Sequence, residues 1–443
     1  MKARSKRCSE FSDFLSAFDK LPFDETARQT RFVKRKPKKI IPRSFLLGLI
    51  QSVLGDGKAL RNIAIHIGAQ INSTVAKQSV DERITDECLV FLETTLVQAL
   101  LQRCQSKLGW IKNTALAQHF RRVLVQDSTT LALPPKLVAD FPGPRNKFGQ
   151  HACAKIQAII DLLRERYCAF ELSPYTKNDQ AAAHDIFAIA RAGDLVLRDL
   201  GYFALAVLKQ MLVNGIYFLS RFRYGIAIFE ADGEAPFNLL KALRQSDVLD
   251  QMVCIGAKEK VPVRLIAQPV SPEVAAKRQR KARADRDRRK NHDAAYFKLL
   301  SWDIFVTNIP SAILTAQQVT RIHPLRWRVE IVFKSWKSQF EMNQVPQVKD
   351  NPTRIKAHVY AVLIFITLCH HNLFAKLLKR KKNARQPEIS LLKFSQFVKE
   401  FAVFLAMPPE DKWFEWAWLQ ISYHCRYERR KRKNYSQLLA SLP

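Results

Sequence analysis

Asp127 closes the run VLVQD, Asp199 closes DLVLRD, and Glu330 lies within HPLRWRVEIVFKSWK, residues 323 to 337. The first two runs are apolar and β-branched, so each aspartate is expected at the end of a strand. There the backbone is held firmly and the side chain projects from the sheet edge. Arg326, Glu330, Lys334 and Lys337 follow one another at intervals of 4, 4 and 3 residues, which puts them on one stripe of a helix. Most stripes of this kind are solvated faces held by i,i+4 charge pairs. A helical carboxylate among cations, with two more acids at strand ends, suits a different chemistry. Converging acids repel one another and need cations. Mg2+ takes hard oxygen ligands and keeps waters and substrate phosphates in its shell. Two such ions about 3.5–4 Å apart activate an attacking oxygen and stabilise a leaving one in phosphodiester cleavage.

The elements that must hold these acids are read from the period of the apolar residues. VLVQD (123–127), AKIQAIIDLL (154–163) and YCAFELSPY (167–175) read as three strands, the last two joined by the charged turn RER. AAAHDIFAIARA (181–192) reads as a helix, followed by the Asp199 strand, a helix in ALAVLKQMLVNG and a strand in IYFLSRFRYG. That order predicts an α/β fold with an RNase H-like core. GIAIF, MVCIG and VPVRLIAQPV, within 225–300, read as a small β subdomain inserted before the Glu330 helix. KRQRKARADRDRRK (277–290) is an arginine-rich run that fits tracking of phosphates or a solvated helix, and WDIFVTNIP (302–310) returns to strand character. The flanks are helical. Residues 58–84, with Ala64, Gly68 and Val75, weakly resemble a helix–tight turn–helix unit, and more often such a pattern is an ordinary helical hairpin. LLKFSQFVKEFAVFL (391–405) is spaced as an amphipathic helix.

The chain has 443 residues and a formal net charge of +32, with pI near 10.0. This excess points to a polyanionic partner, nucleic acid or an anionic membrane. The N-terminus has no apolar run of signal-peptide type, and VYAVLIFITLC (359–369) is too short to span a bilayer, so it reads as a buried helix. Nucleic acid is favoured, no membrane partner is expected, and a cytoplasmic, nucleoid-associated location follows. The eight cysteines are scattered without a CxxC pair, which reads as reduced thiols and no zinc site.

On these residues the chain resembles bacterial insertion-sequence transposases of the DDE type, specifically insertion-sequence family four. Arg326, Glu330 and Lys337 fit the Tyr-x2-Arg-x3-Glu-x6-Lys signature of that group, and VLVQDST and LVLRDLGYF look like its first and second catalytic Asp segments. FLSRFR and WDIFVTNIP are similar to further segments, so the resemblance runs over about 120–340. It departs at one point: His323 stands where the signature has Tyr.

The resemblance implies catalytic, metal-holding roles for Asp127, Asp199 and Glu330, with two Mg2+ ions as cofactor and Mn2+ as a substitute. It implies DNA contacts by His323, Arg326, Lys334, Lys337 and Arg221, and a flipped base held by Trp302. The expected activity is cut-and-paste transposition through strand cleavage, hairpin formation and strand transfer. The expected partners are double-stranded DNA, both terminal inverted repeats and target, and a second copy in a synaptic homodimer. The expected organisation is a helical DNA-end-binding region (1–110), a catalytic domain (111–376, with the β-rich insertion at about 222–300) and a helical dimerisation region (377–443). Two alternatives share these residues: a metal-dependent RNase H-like nuclease without strand transfer, and an inactive, transposase-derived DNA-binding protein.

Overall fold

A computed structural model describes residues 9–37, 39–55, 59–102, 115–147, 149–285, 293–347, 351–380, 389–400, 411–428 and 437. Ten strands are present among them. They are β1 (Val123–Ala132), β2 (Pro142–Asn146), β3 (Gly149–Asp161), β4 (Arg166–Pro174), β5 (Leu195–Arg198), β6 (Tyr217–Arg221), β7 (Ile228–Phe229), β8 (Leu249–Ile255), β9 (Val261–Pro269) and β10 (Trp302–Thr307). The chain divides into two compact units. The first takes residues 1–112, 128–177 and 328–436; the second takes 113–127, 178–327 and 437–443. Strand β1 belongs to both, since the division falls between Asp127 and Ser128.

In the first unit β3 has β2 and β4 as antiparallel neighbours, and in the strand order it stands between β2 and β1. β2 reads PGPRN, and its prolines hide it from a pattern search; proline is tolerated there because the strand lies at a sheet edge. The helix Pro352–Cys369 packs against Asp86–Leu101 and Pro42–Leu54. Gly48 permits the contact of Pro42–Leu54 with the helix Leu60–Ile71, because a Cβ there would lie 2.6 Å from Ile67 Cγ1. The apolar run 359–369 sits within a helical stretch, Pro352–Leu378, that is longer than the run suggested and long enough to cross a bilayer. Its most apolar window is 89% buried inside the protein, as expected of a core helix. The helix–turn–helix resemblance takes the form of Leu60–Ile71, a turn with Asn72 at φ 47°, and a second helix of only five residues, Lys77–Asp81. Residues 400 and beyond of the 391–405 helix are mostly outside the described residues, which give Leu391–Lys399.

In the second unit the order is β1-β5-β6-β10-β9-β8-β7. β1, β5 and β6 are mutually parallel, and the helix Leu205–Val213 makes the β5-to-β6 crossover. These three strands are the parallel part expected of an RNase H-like sheet. Strands β7 to β9 are inserted between the second aspartate and the glutamate helix, as expected. They do not form a sheet of their own: β9 pairs with β10 and so continues the same sheet. The segment 181–192 is not an α-helix but a 3-10 helix, Ala181–Ala188. Two of its carbonyls, Ala182 and Ala183, accept hydrogen bonds from the Gln126 and Arg198 side chains, which takes acceptors that a regular helical ladder would otherwise occupy.

Candidate active site

The two aspartates are placed by one piece of register. In the parallel pair β1/β5, Val123 to Gln126 match Leu195 to Arg198, and Asp127 and Asp199 are the next residue on each strand. Asp127 does not end its strand, since β1 continues through STTLA to Ala132. The β-branched Thr129 and Thr130 sustain the extended backbone that VLVQD alone seemed to finish. β5 ends at Arg198, and Asp199 follows it at the entry to a short 3-10 turn. The residue before each acid is buried and fixed: Gln126 Nε2 donates to the Ala182 carbonyl at 2.9 Å, and Arg198 Nη2 to Ala183 at 2.7 Å. Both acids are thus held by backbone tied to a single segment.

Arg326 lies between them. One guanidinium nitrogen donates to Asp127 Oδ2 at 3.0 Å and the other approaches Asp199 Oδ1 at 3.9 Å. The Asp127 side chain is 16% exposed and that of Asp199 is 52% exposed, so this pair of carboxylates is open to solvent on the Asp199 side. Two hard oxygen donors that already share a cation fit a site for a divalent metal in their chemistry. Among the described residues, however, no three His, Cys, Asp or Glu side chains gather as a ready-made ion site.

Arg326 is not on the α-helix that its spacing predicted. The α-helix begins at Arg328 and runs to Ser338, whereas Arg326 lies in the preceding 3-10 segment His323–Trp327, where it is buried. A 3-10 segment turns three residues per turn instead of 3.6, so the even helical spacing read from the sequence does not hold through Arg326. Glu330, half-buried, is in the first turn of Arg328–Ser338, with exposed Lys334 and half-buried Lys337 further along. These three belong to the first unit, and Asp127, Asp199 and Arg326 to the second. Burial holds the Lys337 pKa below its usual value, opposed by its interaction with Cys153.

Around the aspartates the second unit carries further arginines. Arg221, at the end of β6, and Arg278, on the helix Pro272–Arg283, both pair with Asp303, at 3.4 and 2.7 Å. Arg278 also donates to the Trp302 carbonyl at 3.1 Å, so part of the basic run 277–290 is docked on the start of β10 and not solvated. Residues 286–290 of that run lie outside the described residues. Burial lowers the Arg221 pKa, while Asp303 acts against the shift. Trp302 is half-buried as the first residue of β10.

A phosphate or base contact by His323 requires an exposed ring, and the residue is 4% exposed, its ring tilted against Phe305 with 4.9 Å between centroids. Burial, then the Arg221 and Arg326 charges, push its pKa down to about 3, so it is neutral at physiological pH. The sequence alone could not give the direction of this shift, because phosphate and arginine act oppositely on a histidine.

Sequence reasoning missed Glu165 and Arg328 altogether. Glu165 was part of the charged turn RER, yet its side chain is 1% exposed and pairs with Arg328, itself 3% exposed, at 3.1 Å. A left-handed φ of 49° at a non-glycine residue marks Glu165 in the structure, but no sequence pattern announces it. Asp303 could have been found, since a lone acid beside the start of a strand in a basic chain needs cationic company.

An RNase H-like sheet with aspartates side by side on neighbouring parallel strands defines a class of enzymes acting on phosphodiester bonds. The particular family is set by comparison: the family described as Transposase DDE domain matches residues 118–366, and the chain belongs to it. It is a DDE-type transposase, an enzyme of DNA transposition that binds, cleaves and joins DNA using a divalent metal. Relatives include the transposase for insertion sequence element IS231F of Bacillus thuringiensis subsp. israelensis, 28% identical over 384 residues, covering 81% of this chain and 79% of the relative. The transposase for insertion sequence element IS1151 of Clostridium perfringens is 25% identical, covering 80% and 78%. Among solved structures, the cryo-EM structure of the piggyBac transposase synaptic complex with hairpin DNA is similar with a TM-score of 0.43 and 9% identity, covering 97% of this chain and 87% of that one.

Proposed function

We propose that the protein performs cut-and-paste transposition of an insertion sequence, with Asp127, Asp199 and Glu330 as its catalytic acids. The observation that carries this reading is the register of β1 on β5, which sets Asp127 and Asp199 side by side with Arg326 shared between them. Asp127, Asp199 and Glu330 would hold two Mg2+ ions, with Mn2+ as a substitute, and these would supply activation of the attacking oxygen and stabilisation of the leaving one. The chain's own cations do the rest. Arg326 neutralises the aspartates until DNA and metal arrive, and then turns to the phosphates of the element's end. Lys334, Lys337 and Arg221 supply further phosphate contacts. Trp302 stacks on a base displaced during hairpin formation, where an aromatic face offsets the loss of base stacking. His323 serves through its packing against Phe305, a neutral support beside Arg326 in the signature.

The N-terminal region, 1–110, is proposed to bind the terminal inverted repeats. Residues 111–376 carry the chemistry, and 377–443 pair two copies in a synaptic homodimer on the nucleoid. The net charge of +32 supports the polyanionic partner, and binding should weaken steeply with salt through counterion release. The deciding experiment is strand transfer by the full chain on duplexes ending in the inverted repeats that flank its gene, with Mg2+ as the only divalent ion. Hairpin-ended and joined products are expected. Cleavage without joining would identify a nuclease instead, and binding without cleavage an inactive DNA-binding protein.

A further inference from the structure

Behind the helix Arg328–Ser338 runs a chain of buried polar groups that starts and ends on that same helix. Arg328 Nη2 donates to Glu165 Oε2 at 3.1 Å, and His370 Nε2 reaches the same oxygen at 3.2 Å. Tyr167 Oη lies 3.4 Å from His370 Nδ1, and Trp336 Nε1 donates to Tyr167 Oη at 3.4 Å. Burial keeps His370 neutral, against the pull of Glu165. A neutral ring that donates through Nε2 must accept at Nδ1, so the donors run in one direction from Trp336 through Tyr167 and His370 to Glu165, where Arg328 donates from the other side. Burial alone would raise the Glu165 pKa, but Arg328 and His370 outweigh it and hold the carboxyl below the usual range. The backbone is bent to suit. Glu165 adopts φ 49°, and the π-helical turn His370–Phe374 lets adjacent His370 and His371 both serve the start of β4, where Tyr167 N donates to His371 Nε2 at 2.9 Å.

Such a cluster is not the cheapest way to fill a core. Replacing a buried ion pair with apolar groups of similar volume is often neutral or stabilising. Its effect here is geometric. The apolar face of the helix, Val329, Val332 and Phe333, would tolerate small rotations or slides, because dispersion contacts are individually weak and non-directional. A rotation that parted Arg328 from Glu165 would strand two charges in a dry interior. Arg328 and Trp336 are eight residues apart, so the helix is gripped more than two turns apart on one side. Glu330, Lys334 and Lys337 lie roughly on the opposite side.

We propose that the Arg328–Glu165–His370–Tyr167–Trp336 loop is a positioning device that fixes the rotation and register of the helix bearing Glu330. Glu165, His370 and Tyr167 are positioning residues and touch neither DNA nor metal. This rests on the reading of Glu330 as a catalytic acid. The test compares wild type, the apolar double variant Glu165→Leu/Arg328→Met and the gentler Tyr167→Phe. Thermal unfolding, amide hydrogen exchange of the free protein, and cleavage of an inverted-repeat duplex titrated with Mg2+ are measured on each. The double variant should unfold near the wild-type temperature, yet exchange faster within 328–338 and cleave roughly 10–100-fold more slowly, with more Mg2+ needed for half-maximal rate. Tyr167→Phe, which keeps both charges, should move the same readouts by less. Wild-type exchange and cleavage in a folded double variant would overturn the proposal. If the double variant does not fold, Tyr167→Phe decides it by the same readouts. If the wild type itself fails to cleave, the transposase reading fails, while exchange within 328–338 still tests the positioning.

Discussion

Two clusters in this molecule use the same ingredients, carboxylate and arginine, in opposite ways. In the second unit, Arg326 spans Asp127 and Asp199 at 3.0 and 3.9 Å, and the Asp199 side chain is half exposed. In the first unit, Arg328 and His370 converge on Glu165, and all three side chains are at most 3% exposed. Water beside the first pair lowers the cost of parting its members, so the aspartates can exchange a guanidinium for another cation. The second pair has no such exit, because separation leaves a bare charge in a low-dielectric interior. The comparison assigns exchange to one cluster and rigidity to the other, although Arg326 and Arg328 are two residues apart in sequence.

The largest effect should come from the acids themselves. Asp127→Ala, Asp199→Ala and Glu330→Ala are each expected to lower cleavage of an inverted-repeat duplex by roughly a thousandfold or more, with binding in a gel-shift assay little changed. A variant that still cleaves near the wild-type rate in Mg2+ removes that residue from the site. Next, breaking the buried cluster on one side only, by Glu165→Ala or Arg328→Ala, should destabilise by about 3–5 kcal/mol, read from denaturant unfolding. A loss below about 1 kcal/mol, the range of exposed pairs, would show that water reaches this cluster.

His323 gives a smaller effect with a definite sign. Its folded pKa of about 3 lies below the unfolded value near 6.5, so the unfolded chain binds the extra proton between these limits. The contribution is complete above about pH 6.5 and is lost as pH falls toward 3, amounting to about 2 kcal/mol at pH 5. His323→Phe should therefore flatten the fall in stability between pH 7 and pH 5, provided the ring packs against Phe305. The same pKa leaves His323 neutral throughout pH 6 to 8, so the substitution should not alter the pH profile of cleavage there. The smallest change tests exchange itself. If Arg326 competes with metal for the aspartates, Arg326→Gln should tighten Mn2+ binding to the DNA-free protein roughly tenfold, about 1.4 kcal/mol, while slowing cleavage. Calorimetric titration that shows weaker Mn2+ binding would mean that Arg326 helps to build the site.

Strand periods and local spacing made much of the fold and most of the site legible in the sequence. VLVQD and LVLRD identify themselves because a buried parallel strand needs a continuous apolar run, and each carries its acid at the point where that run stops. The motifs around Glu330 and the +32 charge direct the reading to DNA. Tertiary structure decided what depends on distant partners. RER has the composition of an exposed turn, and Arg328, 163 residues further on, together with His370 makes Glu165 a core residue. Arg326 fits a helical stripe by number, but the 3-10 segment His323–Trp327 removes it from the helix and turns it to the aspartates. PGPRN is a strand only because a neighbouring edge accepts it. Periodicity reports the face an element buries; which charge meets which carboxylate is fixed by residues brought together in folding, and no local pattern encodes that meeting.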